Sequence, residues 1–302
     1  MTNTRNEVIP PWLLAVFAMF TVQLGSALSI PVMNELGAGG TAWLRLSMGG
    51  LIFIAVGWPA LRRFGLKNIS INDWKILVGL GATTGLTTVF FLNSIERLPL
   101  GTAVAIEFLG PLTVASIKSH NKKALLWPAL ASVGVLLLTA PWEGEVNLPG
   151  IVYALLAAVG WGTYIILTQK IGDRFSGISG LAITIPISAV TAAFIGVPQA
   201  IGNLTPELLL ATLGLAILLP VLPYALEMLA LKRLTHNAFG TLMAMEPGMG
   251  LLLGIFVLNQ IPNFTQWIGI SLVVLAGAFA QKGGRRDQND NHGFYSEPDV
   301  IA

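Results

Sequence analysis

Apolar stretches of about twenty residues, each closed by a short cluster of charged, proline or glycine residues, recur from one end of the chain to the other. About twenty apolar residues in helical conformation cross the hydrocarbon core of a bilayer, so each stretch predicts a membrane span. Ten windows fit: residues 12–33, 41–61, 74–94, 100–117, 123–141, 148–170, 178–198, 206–230, 237–257 and 264–281. Most connections between them are short, which leaves no room for a separate soluble domain. From Lys282 the sequence turns polar and glycine-rich, and 282–302 reads as a disordered cytoplasmic tail.

Composition strengthens this pattern. The chain is 54% hydrophobic and only 11% charged, with a mean hydropathy of +0.73. A soluble domain of 302 residues could not bury so much apolar surface or manage with so little charge. A pI near 9.0 would suit nucleic acid, but the basic residues punctuate the spans. With ten crossings and a cytoplasmic amino terminus, the inner segments carry Arg5; Arg62, Arg63, Lys67 and Lys75; Lys118, Lys122 and Lys123; Lys170 and Arg174; Lys232 and Arg233; and Lys282, Arg285 and Arg286. The outer loops keep only Arg97, and Arg45 lies inside the second span. The positive-inside rule asks for this split, and skipping one span would destroy it, so both termini are expected in the cytoplasm. Trp12, Trp58, Trp74, Trp127, Trp142 and Trp267 fall near span ends, where an interfacial belt belongs. The first run, with Gly25-Ser26-Ala27 as a conceivable cleavage site, could pass for a signal peptide. Its spanning length and a flank in which Glu7 offsets Arg5 favour an uncleaved helix. The absence of cysteine excludes disulfides and cysteine-based catalysis.

A weak internal repeat divides the chain near residue 145. Arg97-Leu98 followed by Pro111 returns as Arg233-Leu234 followed by Pro247, and Gly25 is answered by Gly162. Five spans per copy is an odd number, so the second copy enters the membrane upside down. The expected fold is an all-α membrane protein of ten transmembrane helices in two inverted five-helix repeats, 1–145 and 146–281. Such duplications place a substrate site near the midplane between the halves.

The candidate chemistry lies where charge has no business being. Glu107 and Glu246 each sit inside an apolar span close to a proline, in the segments LPLGTAVAIEFLGP (98–111) and FGTLMAMEP (239–247). A carboxylate at mid-span costs roughly 2.5–3.5 kcal/mol on insertion scales and so points to a polar cavity. Arg45 and Glu227 complete a set of four ionisable residues. A carboxylate in such a cavity can exchange protons, while Arg45 is a fixed positive charge. The competing reading is an Arg–Glu pair that only holds helices together. Pro111, Pro220, Pro223 and Pro247 remove helical hydrogen bonds and are helix-break or gating candidates. Trp161, Tyr164, Tyr224, Gln23 and Asn93 are weaker pocket candidates, each also explicable as a packed helix residue. Gly81 with Gly85, and Gly250 with Gly254, read as close helix packing, and Met243 and Met245 as core filling. No phosphate-binding glycine loop, HExxH metal site or nucleophile elbow is present, so neither an enzyme nor a metal or other cofactor is expected. A membrane scaffold or lipid-handling enzyme would need a catalytic cluster at one interface, and none is found. A small-molecule substrate, protons and the lipid bilayer are the expected partners, with no nucleic acid.

Residues 99–111 and 239–247, together with LPYALEM (222–228) and Trp43-Leu44-Arg45-Leu46, resemble the ten-helix drug/metabolite transporter superfamily built from two EamA-type repeats. Within it they are most similar to bacterial threonine and homoserine exporters. The resemblance covers nearly the whole chain between the first span and the tenth. It implies a bacterial inner-membrane antiporter that exports small amino acids in exchange for protons, with Arg45, Glu107, Glu227 and Glu246 among its typical positions. Broad efflux of drugs or organic cations by the same superfamily is the alternative. One departure stands out: where many relatives have Leu-Gly-Glu after the ninth span, this chain has Leu258-Asn-Gln-Ile261 and lacks that acid.

Overall fold

The computed structural model describes residues 10–64, 69–117, 122–140, 146–171, 177–231, 233–234, 239 and 242–282. Within a bilayer every backbone amide must find its partner inside the chain, and the described residues answer that demand with helices. In chain order these are α1 (Pro11–Phe64), α2 (Ile71–Ile95), α3 (Leu100–Glu107), α4 (Leu109–Ile117), α5 (Leu126–Thr139), α6 (Leu148–Ile171), α7 (Ile178–Ala200), α8 (Pro206–Ala216), α9 (Leu222–Leu231), α10 (Glu246–Leu258) and α11 (Phe264–Lys282). A short 3-10 turn, Lys122–Leu125, leads into α5, and a π-helical turn, Ile217–Val221, joins α8 to α9. The expected tail beyond Lys282, Trp142, and the three histidines His120, His236 and His292 lie outside the described residues.

Six described helices are long and apolar enough to cross a membrane, and Lys123–Thr139, Glu246–Leu258 and Phe264–Ala280 are shorter apolar helices. The first of the six, Pro11–Arg62, takes in the first two windows of the sequence. Its helix α1 runs to 54 residues, roughly 80 Å at about 1.5 Å per residue, far beyond one hydrocarbon core. It is broken at Gly37, where φ is 72° and ψ 163°. Only glycine adopts that backbone freely, and a Cβ there would also come within 2.6 Å of Gln199 Oε1.

Local signals set the other boundaries. Ser70 caps α2 by accepting from Asp73 N at 3.1 Å, and Thr205 caps α8 by accepting from Leu208 N at 3.3 Å. α3 begins after Pro99, which has no capping side chain; Gln260 reaches over and accepts from Leu100 N at 2.9 Å. Gln199 does the same for the helix resuming after Gly37, accepting from Gly39 N at 2.8 Å and Gly40 N at 3.2 Å. Two more amides join distant segments, Asn203 Nδ2 to Glu35 O at 3.2 Å and Gln266 Nε2 to Leu138 O at 3.3 Å.

Small residues let the helices approach closely. A Cβ on Gly81 would meet Ile187 Cβ at 2.6 Å and one on Gly85 the Ser188 carbonyl oxygen at 2.5 Å, which is how α2 seats on α7. The Gly250 position faces Val104 on α3, so both expected glycine pairs do pack helices. The principal contacts are α1 with α7, α2 with α6 and α7, α5 with α11, α3 with α10, and α1 with the α8–α9 unit. Trp12, Trp58 and Trp267 are exposed on the outside of the bundle, and the Arg62 guanidinium sits 5.0 Å over the Trp58 ring.

Candidate functional site

Three backbone irregularities meet around one cavity. Pro111 has no amide hydrogen to offer the Glu107 carbonyl, and the helical run is interrupted between α3 and α4 at Phe108. Pro247 likewise leaves the Met243 carbonyl without a donor, and α10 starts at Glu246 after a turn over Ala244 and Met245. Between α8 and α9 the chain leaves the helical path at Leu219 (φ −160°, ψ 111°), before Pro220 and Pro223. Each break carries a carboxylate: Glu107, Glu246 and, one turn beyond the third, Glu227.

The cavity has a volume of about 420 Å³, within the range of small-molecule sites. From α1 it takes Val22, Gln23, Ser26, Arg45 and Leu46; from α2 Thr84, Thr87, Thr88 and Phe91; from the α3–α4 break Glu107, Phe108 and Pro111. The second half of the chain contributes Trp161, Tyr164 and Ile165 of α6 and Ile185 of α7. It also supplies Leu219, Pro220, Pro223, Tyr224 and Glu227, together with Phe239, Met243 and Glu246. The sequence-selected Gln23, Arg45, Glu107, Trp161, Tyr164, Tyr224, Glu227 and Glu246 therefore share one chamber with Pro111 and Pro223. Asn93 and Pro247 do not line it: Asn93 turns back to donate to Val89 O at 2.8 Å and accepts from Arg97 at 3.3 Å, and Pro247 is buried in the first turn of α10. Met243, read as core filling, is a wall residue.

Electrostatics run in a chain through this chamber. Glu246 acts on Glu107, and Glu227 acts on Glu246 and on the Tyr164 and Tyr224 hydroxyls, which lie within hydrogen-bonding reach of one another. Tyr224 in turn faces Arg45. Arg45 is 3% exposed, donates from Nη1 to Ser29 Oγ at 3.2 Å and leaves Nε without a partner. Among the described residues it forms no ion pair with a carboxylate. Glu246 is 5% exposed; Gln23 Nε2 reaches its Oε1 through a long hydrogen bond of 3.4 Å, and its Oε2 and Gln23 Oε1 have no partner. A buried polar atom without a partner costs about 1–3 kcal/mol, so these orphans mark places where a ligand or water would be held. Trp161 stands edge-on to Phe108 at 6.3 Å and Tyr224 edge-on to Phe53 at 6.2 Å, which fixes both rings. Among the described residues no group of three histidine, aspartate or glutamate side chains is placed to hold a metal ion.

Sequence reasoning missed the α2 wall. Thr84, Thr87, Thr88 and Phe91 recur at i, i+3, i+4 and i+7, the spacing of one helix face, and that periodicity could have identified them.

Residues 148–280 match the EamA-like transporter family. The chain is 34% identical over 282 residues to the threonine/homoserine exporter RhtA of Salmonella typhimurium, covering 91% of this chain and 92% of that protein. It is 35% identical over 276 residues to RhtA of Escherichia coli, covering 89% and 91%. One solved crystal structure superposes with a TM-score of 0.60 at 18% identity, over 89% of this chain and 97% of the other, which is a likeness of fold.

Proposed function

The chain belongs to the EamA-like transporter family, and from that premise we propose that it exports small amino acids of the threonine and homoserine kind by proton-coupled alternating access. The observation that carries the reading is a chamber, walled by apolar helices, that holds three carboxylates and a buried guanidinium whose Nε has no partner. An amino-acid zwitterion presents the complementary charges: its carboxylate meets Arg45 and its ammonium a glutamate, each through a charge-assisted hydrogen bond. Protonation of a carboxylate removes the ammonium's partner, so proton and substrate compete for one site, and exchange follows. The relatives named threonine/homoserine exporters support the substrate class.

The architecture behind this mechanism is ten crossings in two inverted repeats, 1–145 and 146–281, in a bacterial inner membrane with both termini cytoplasmic. α1 counts as two spans parted at Gly37, and α5, α10 and α11 as three shorter ones. Helix contacts support the duplication. Spans two and seven, four and nine, and five and ten are partners across the halves, while three against six is mirrored by one against eight. A two-fold relation between repeats generates this pairing.

Reconstituted vesicles with an imposed pH gradient test the proposal. Radiolabelled threonine and homoserine should accumulate against their gradients and collapse with a protonophore. The excess of acid over base and the presence of Trp161, Tyr164 and Phe91 favour a second reading, efflux of organic cations. Competition separates the two, since threonine should displace label where an aromatic dication does not.

A further inference from the structure

The α2 wall of the chamber presents hydroxyls whose protons are bonded to their own helix. Thr84 Oγ1 donates to Leu80 O at 2.9 Å and Thr88 Oγ1 donates to Thr84 O at 2.9 Å. A threonine hydroxyl has one proton; once that is committed to a backbone carbonyl, the oxygen keeps only acceptor lone pairs. Ser29 on α1 shows what such an oxygen does when a donor is near. Its Oγ donates to Gly25 O at 2.7 Å and receives Arg45 Nη1 at 3.2 Å. Thr84 and Thr88 have the same committed proton, but among the described residues no donor reaches either oxygen, and both side chains line the cavity. They stand one turn apart and form a wall that can only accept. Thr87 differs: its Oγ1, also without a partner, is tucked against Gly160 of α6, where any Cβ would collide with it.

Two further groups in the chamber point to a ligand. Arg45 is 3% exposed with Nε unpartnered, and Glu246 is 5% exposed with Oε2 unpartnered. If these charged groups take the carboxylate and ammonium, the third substituent of the substrate's α-carbon is left to meet the remaining polar wall. An ammonium prefers the carboxylates, because a charge-assisted bond is about twice as strong as one to a neutral hydroxyl. The donor that suits Thr84 and Thr88 is therefore a neutral one. We propose that Thr84 and Thr88 form a specificity subsite that accepts a hydrogen bond from a hydroxyl on the substrate side chain, selecting hydroxy amino acids over alkyl ones of equal size. The proposal rests on the amino-acid export reading and extends it by assigning the side-chain contact.

The test compares threonine with 2-aminobutyrate, which has the same carbon skeleton without the hydroxyl, in vesicles containing the full chain and a pH gradient. Wild-type protein should carry threonine in preference. In Thr84→Val/Thr88→Val, isosteric but without acceptors, the threonine-to-2-aminobutyrate flux ratio should fall up to roughly tenfold, as expected for the one neutral hydrogen bond that a single hydroxyl proton can make to either oxygen. Thr84→Ser/Thr88→Ser, which restores both oxygens, should keep the wild-type ratio. A ratio is independent of how much protein folds, and the single valine variants read the same quantity if the double variant is inactive. An unchanged ratio in the valine variants overturns the subsite, as does a wild type that carries both amino acids equally. Carriage of neither by the wild type defeats the export reading itself.

Discussion

At the residue scale, the decisive question is what each charged side chain does when no substrate is present. Glu107 lies in the α3–α4 break, half-buried against the chamber, next to Glu246. As the residue where proton and ammonium compete, it predicts that Glu107→Gln abolishes flux driven by a pH gradient while substrate exchange down its own gradient continues. Unaltered gradient-driven uptake in proteoliposomes would remove this role from Glu107 and leave it to Glu246 or Glu227. Arg45 offers a second test. Its planar fork spends one nitrogen on Ser29 and keeps Nε free, a geometry that a lysine ammonium cannot copy. Arg45→Lys should weaken apparent substrate affinity roughly ten- to hundredfold, the size of a lost charge-assisted hydrogen bond of about 1.5–3 kcal/mol. Thermal stability in detergent should stay near wild type; a collapse there would assign Arg45 to holding the helices. The charged half of the site was legible from sequence for a simple reason: Arg45, Glu107, Glu227 and Glu246 interrupt apolar runs, and such interruptions are expensive. The threonine wall was not, because a hydroxyl that bonds its own helix costs little in a span and leaves no mark in hydropathy. Asn93 was misleading for the related reason that it satisfies itself on Val89 O.

At the element scale, prolines and glycines decide where helices stop and how near they come. Gly110 sits where a Cβ would collide with the Ala158 carbonyl oxygen, so the α3–α4 break rests backbone to backbone on α6. Pro111 and Pro247, singled out in the sequence as helix-break candidates, lie in the first turns of α4 and α10, just after the interruptions at Phe108 and at Ala244–Met245. The cluster Asn34-Glu35-Leu36-Gly37-Ala38-Gly39-Gly40 marks the boundary between the first two windows, but it could not show that the helical path runs through it with the break confined to Gly37. The LNQI segment also gains a physical role. Gln260 supplies the acceptor that Pro99 cannot, capping Leu100 N at 2.9 Å. A neutral amide performs that duty without an acid, so the Leu258-Asn-Gln-Ile261 segment keeps Leu100 N capped. Gln260→Ala should destabilise the protein by about 1 kcal/mol, the usual worth of an N-terminal cap, read as a lowered Tm. Gln260→Glu should retain most of it. Equal Tm values for wild type and Gln260→Ala would show that water replaces the cap fully.

At the scale of the whole molecule, the two halves are tied together unevenly. Gln199, Asn203, Gln260 and Gln266 of the second half bond to backbone groups at Gly39, Glu35, Leu100 and Leu138 of the first. In an up-and-down bundle these positions belong to alternate turns of the chain, whose only basic residue is Arg97. On the proposed topology that end faces outward. Glu227 and Phe239 of the chamber wall flank Lys232 and Arg233 in sequence. Reciprocal close contacts fit a two-fold relation, for a Cβ on Gly134 would meet Gly269 O at 2.6 Å and one on Gly269 would meet Gly134 O at 2.7 Å. If the halves exchange conformations, the amide ties must break each time the chamber opens outward, so a covalent bond across them should stop transport. The chain has no cysteine, which makes Glu35→Cys/Asn203→Cys a clean background for a short dithiol crosslinker between the segments now joined by the 3.2 Å bond from Asn203 to Glu35. Crosslinked protein in vesicles should lose amino-acid flux and regain it when a reducible linker is cleaved, while each single cysteine variant treated alike keeps its flux. Full crosslinking with undiminished transport would show that this end of the bundle does not open, and the exchange of inverted halves could not be how substrate leaves the chamber.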